Sequence, residues 1–136
     1  MSVNDFRRIA WGLPEASESA HMEHPDFRVG KRIFATLGYP DNQWGMVKLR
    51  PEQQKMFVRD YPDAFIEVKG GWGRRGATQV RLESIDEATL RRAITAAYCN
   101  VAPKRLVARV ETMVPKNSEG EQKNTAPPRG NRKRQG

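Results

Sequence analysis

The chain has 136 residues, 38% of them hydrophobic, with 24 Lys and Arg against 16 Asp and Glu and a net charge of +8 at pH 7. That length fits one domain with a modest core; no apolar run reaches the length of a membrane span, and a single cysteine, Cys99, excludes an intrachain disulfide framework and a multi-cysteine zinc site. The positive balance favours an anionic partner, nucleic acid before membrane, and the N-terminal residues lack the apolar stretch of a secretion signal, which points to the cytoplasm.

Phe6, Ile9, Ala10 and Leu13 recur at helical spacing and predict a helix over residues 4–13, ended by Gly12 and Pro14. Residues 16–22 read as an edge strand. Residues 26–29 and 32–38 read as two strands joined tightly at Gly30-Lys31, with a turn over 39–42 and another strand over 44–49. Pro51 suits the first position of a helix that runs to Asp60 and is stopped by Tyr61-Pro62-Asp63. Strand-like Phe65–Val68 leads into a glycine-rich run over 70–78, after which residues 79–83 alternate like a second strand. Ser84 and Glu87 stand at capping-box spacing before a helix marked by Leu90, Ala93, Ile94, Ala97, Tyr98 and Val101. Pro103 opens one further short helix, through Ala108. Residues 115–136 hold six basic and two acidic residues and almost nothing apolar. They cannot bury enough surface to offset the entropy of ordering, so a disordered basic tail is expected beyond a single domain at 1–114.

The strand connections are too short for parallel crossovers, so an antiparallel sheet with helices on one face follows, a two-layer α+β domain. Alternation assigns Phe27, Val29, Val47, Leu49, Ile66, Val68, Val80 and Leu82 to the helix side. The open side receives Arg28, Lys48, Glu67, Lys69, Gln79 and Arg81, with Trp44 and Met46.

Gly71, Gly73 and Gly76 spell G-x-G-x-x-G. That fingerprint holds a dinucleotide only where a strand feeds a helix. Here a strand is expected to follow, so the run reads as the flexible tip of a hairpin, carrying Trp72, Arg74 and Arg75. Arg pairs with phosphate or reads guanine; Trp72 either stacks on an unpaired base, wedges at a groove, or folds back onto the domain. Arg28, Lys31 and Arg32 surround a second basic hairpin, and Lys48 and Arg81 add positive charge on the open side. His21 and His24 give His-x-x-His, but two ligands are too few for zinc and no third is evident. No serine or cysteine sits in a nucleophile pattern, and the carboxylates fall at helix ends and turns. A non-enzymatic protein without metal or cofactor is the expectation.

The blocks His24-Pro25-Asp26-Phe27-Arg28-Val29-Gly30, Ile33-Phe34-Ala35, Trp44-Gly45-Met46-Val47-Lys48-Leu49, Gly71-Trp72-Gly73 and Ala102-Pro103-Lys104-Arg105-Leu106 resemble the MmcQ/YjbR family of small bacterial proteins. The likeness runs from about Phe6 to Ala108. It implies an α+β domain related in topology to the bacterial frataxin homologue, and a double-wing DNA-binding role. With it, the expected partner is nucleic acid, DNA ahead of RNA, contacted by Arg28, Lys31, Arg32, Lys48, Trp72, Arg74, Arg75 and Arg81 of a monomer. The competing expectation is a module that binds a small molecule or a protein through the open sheet face around Trp44 and Met46.

Overall fold

Alternating apolar residues assemble into one antiparallel sheet in a computed structural model that describes residues 1–21, 24–38 and 41–113. The tail expected at 115–136 lies outside the described residues. The elements run α1 (Val3–Trp11), β1 (Ser17–His21), β2 (His24–Val29), β3 (Arg32–Leu37), β4 (Trp44–Lys48), α2 (Pro51–Asp60), β5 (Phe65–Glu67), α3 (Gly71–Arg74), β6 (Ala77–Arg81), a 3-10 turn (Leu82–Ser84), α4 (Glu87–Val101) and α5 (Lys104–Met113). The sheet order is β1-β2-β3-β4-β6-β5, every neighbouring pair antiparallel. The chain divides into two units, Met1–Lys104 and Arg105–Gly136. The first is the α+β domain. Of the second, only the α5 residues through Met113 are described, with Leu106 and Val110 one turn apart on a single face.

In the first unit α1, α2 and α4 cover one face of the sheet. Phe6 of α1 packs on Phe27 of β2, their ring centroids 5.9 Å apart. It also lies on Gly45, where a Cβ would stand 2.6 Å from the Phe6 ring, so β4 lacks a side chain where the helix crosses it. Full burial of such a ring is worth about 1.5–3 kcal/mol. Tyr98 of α4 meets Phe34 edge-on at 5.4 Å and donates its hydroxyl to the Pro14 carbonyl at 2.6 Å, tying α4 to the segment after α1. Phe34 is the extra residue of a β-bulge: Arg28 pairs with Ile33 and Phe27 with Ala35, leaving Phe34 without a partner. The bulge lets Phe34 and Ala35, adjacent in sequence, both enter the core.

Three local expectations change. Ile66 points away from the helices, 37% exposed, and Phe65 takes its place in the core. The register explains this. Phe65 stands opposite buried Val80 and Ile66 opposite Gln79, and cross-strand partners share a face. Glu67 consequently shares the helix side with its partner Thr78 rather than the open side. Ser84 does not cap α4. It closes the 3-10 turn, Ile85 is extended, and Asp86 caps instead, its Oδ1 accepting the Thr89 N–H at 2.8 Å. A reciprocal capping box does form at Ser2 and Asp5 on α1. Finally, the glycine-rich run is not a bare hairpin tip. Between β5 and β6 it winds one helical turn, α3.

Candidate functional site

The register of the strands places the basic connections together. Lys48 of β4 stands opposite Ala77 at the start of β6, while Trp44 stands opposite Arg81 at its end. Ala35 pairs with Val47, so the Gly30-Lys31 turn between β2 and β3 lies at the Lys48 end of the sheet. The α3 connection between β5 and β6 lies at that same end. Three strand spacings of roughly 4.8 Å separate the two connections, about 14 Å across the sheet.

Each connection is built for its shape. In the β2–β3 hairpin Gly30 and Lys31 both have positive φ, 56° and 70°, the primed turn that two-residue hairpins require. Lys31 accepts that conformation and projects at the tip. In the other connection Gly73 lies against the Val68 carbonyl, and Gly76, at φ 113°, against the Leu49 carbonyl. Buried Gln54 of α2 fastens the turn: its Nε2 donates to the Gly73 and Ala77 carbonyls at 3.0 and 2.9 Å and to Thr78 Oγ1 at 3.2 Å. The Arg74 and Arg75 N–H groups donate to the Gly70 and Gly71 carbonyls. The finger expected to be flexible is thus a fixed helical turn, because its glycines allow backbone to pack directly on backbone.

Trp72 projects from this turn, 65% exposed. It borders a shallow pocket of about 190 Å3 whose other residues are Lys48, Leu49, Arg75 and Ala77. Leu49 and Ala77 are buried and form an apolar floor; Lys48 and Arg75 are exposed and form a charged rim. Three of the residues singled out from sequence, Lys48, Trp72 and Arg75, therefore meet at one place, with Arg74 beside them and Lys31 and Arg32 at the same end. Arg50, exposed and next to the Leu49 carbonyl against which Gly76 packs, joins this set and was not singled out from sequence. Its signal is a contact between residues 49 and 76, which spacing along the chain does not reveal.

Two of the singled-out residues stand apart. Arg28 is bound by Asp26, Nε to Oδ1 at 2.8 Å and Nη2 to Oδ2 at 3.1 Å. Asp26 is only 2% exposed, and its carboxylate raises the Arg28 guanidinium further above its already high value. Arg81 lies at the other end of the sheet, stacked 4.6 Å above the Trp44 ring. Met46, which shared the open face with Trp44 in the alternative reading, is only 9% exposed.

Charge divides along the strands. Among the described residues Lys31, Arg32, Lys48, Arg50, Arg74 and Arg75 make no ion pair, and all six are exposed. Glu67 adjoins their turn, its Cγ 3.0 Å from where a Gly73 Cβ would stand. At the opposite end lie Asp41, whose backbone carbonyl accepts the Trp44 N–H, and Asp63 and Glu83, which line an open cleft with Arg81. Asp86 and Glu87 start α4 there, and Glu87 pairs with Arg8 and Arg91. The Thr89 backbone N–H holds the Asp86 carboxyl below its ordinary value, and Arg8 followed by Arg91 does the same for Glu87. Among the described residues no group of three or more His, Cys, Asp or Glu is placed to hold a metal ion, and no helix is long and apolar enough to cross a membrane.

A family model described as YjbR matches residues 11–100. The crystal structure of the Deinococcus radiodurans protein DR2400, which carries a DUF419 domain, is similar at a TM-score of 0.64 and 20% identity, over 90% of this chain and 96% of that one. No curated protein matches.

Proposed function

The chain belongs to the YjbR family, and on that footing we propose that it is a nucleic-acid-binding protein, DNA ahead of RNA, that acts by contact and not by catalysis. The observation that carries the reading is a set of exposed cations without ion pairs at one end of the sheet, Lys31, Arg32, Lys48, Arg50, Lys69, Arg74 and Arg75, two of which line the pocket beside an exposed tryptophan. Unpaired cations on a fixed scaffold release counterions from a polyanion and gain affinity without reordering the protein. Two basic connections about 14 Å apart give two points of attachment along one phosphate backbone. Sequence readout is slight in this scheme, because phosphate contacts position a protein without telling bases apart. Arg28 contributes least, since Asp26 already neutralises it.

The test is the salt dependence of binding to a labelled oligonucleotide. Replacing Arg74 and Arg75 by Ala lowers the slope of log K against log salt by about 1 for each phosphate that the variant no longer engages. An unchanged slope removes the α3 turn from the interface.

A further inference from the structure

We infer that the Trp72 pocket takes a single unpaired nucleobase, so that the partner is nucleic acid with single-stranded character; this rests on the proposed binding function and specifies its substrate. Four observations converge. The indole is exposed to 65%, which leaves its face available for stacking. The pocket beside it measures about 190 Å3, below the ~300–1,000 Å3 of sites that enclose a drug-sized ligand and suited to one flat ring. Its floor, Leu49 and Ala77, is apolar, as an unstacked base requires, and its rim, Lys48 and Arg75, supplies cations for the flanking phosphates. The platform is also preorganised: Gln54 and the turn's own hydrogen bonds hold the backbone on which Trp72 stands.

A base inside a duplex has both faces stacked and its edge paired. It reaches such a pocket only at the energetic cost of extrusion, whereas a single strand offers its bases freely. The rim charges serve either form. Trp72 serves only the unpaired one. In simple electrostatic docking, by contrast, strand state matters little.

The experiment compares three labelled oligonucleotides of equal length at low salt by fluorescence anisotropy: a single strand, its blunt duplex, and a strand of abasic sugar phosphates. The full chain is used with the substitutions Trp72→Ala and Trp72→Phe. Expected are tighter binding of the single strand than of the other two, a loss of about five- to a hundredfold for Trp72→Ala on the single strand alone, and recovery of most of it by Trp72→Phe. The same affinity of Trp72→Ala and the unaltered protein for the single strand overturns the inference, as does an equal loss on all three oligonucleotides. Binding of all three with a steep salt slope that Trp72→Ala leaves untouched would sink the base pocket and leave electrostatic docking standing. Absence of binding to any of them sinks both.

Discussion

A methyl group at Gly73 would stand 1.5 Å from the Val68 carbonyl oxygen, and one at Gly76 would stand 1.8 Å from that of Leu49. Both neighbours are backbone and cannot swing aside. Gly70, by contrast, has φ 86° but nothing within 4 Å. We expect Gly73→Ala to lower unfolding free energy by more than about 3 kcal/mol and Gly70→Ala by about 1–2 kcal/mol, measured by urea denaturation. Equal losses would mean that the turn relaxes around the methyl. Asp86 supports a second expectation at this scale. Its carboxyl, like that of Glu87, sits below its ordinary value in the folded protein. Stability from both is present above the unfolded carboxylate range, near pH 4, and is lost as pH falls through the depressed folded values. Asp86→Ala should cost about 1 kcal/mol at neutral pH and flatten the decline below about pH 4; a decline as steep as that of the unaltered protein would place the acid sensitivity elsewhere.

Gln54 is the fastening between two elements, since its amide bonds three acceptors around α3 and β6 from its place in α2. Gln54→Ala removes the side-chain donor from those acceptors, the Gly73 and Ala77 carbonyls keeping only their bonds from the Gly76 and Val68 N–H groups, and should destabilise by about 1–3 kcal/mol. Amide exchange should quicken at residues 73–78 while α4 stays protected; uniform quickening would show that the clamp holds the whole sheet instead. At this scale much was legible in the sequence. Six strands and the principal helices follow from period and punctuation, and Gly30-Lys31 announces its own turn. What stayed hidden depends on partners distant in the chain. Phe65 and Ile66 are adjacent and both apolar, so only pairing with β6 decides which enters the core. Phe34 breaks the alternation of β3 because a bulge adds a residue, and no local pattern marks it. The Ser84–Glu87 spacing imitates a capping box, yet a 3-10 turn consumes Ser84 first. Within the candidate site, Trp72, Arg74 and Arg75 were legible as a group, whereas their meeting with Lys48 and Arg50 required the β4–β6 register.

Across the whole molecule the unpaired cations at the Lys48 end of the sheet, Lys69 among them, outnumber the adjacent Glu67 and repel one another. Added salt screens such repulsion within about 10 Å at 0.1 M. We therefore expect the melting temperature to rise between low and physiological ionic strength. It should rise again on addition of a single-stranded oligonucleotide, by mass action on the folded state: a gain of about 2.7 kcal/mol at a hundred times Kd. Both increments should shrink in the Arg74→Ala, Arg75→Ala double variant. A melting temperature that falls with salt would mean that attractive pairs such as Arg8 with Glu87 outweigh the repulsion.

The separation of acids from unpaired bases has a consequence for encounter. Unpaired guanidinium and ammonium groups at one end of the strands, against carboxylates largely offset by Arg8, Arg81 and Arg91 at the other, leave the charge of this domain lopsided along the sheet. In the field of a polyanion a charge distribution so uneven feels a torque before any surface touches. On the proposed nucleic-acid reading the domain would arrive already turned, with the tryptophan leading, and productive collisions would take up a larger share of all collisions than random tumbling allows. Added salt shortens the reach of that torque, so on the proposed reading the rate of encounter would fall with ionic strength together with the strength of the phosphate contacts.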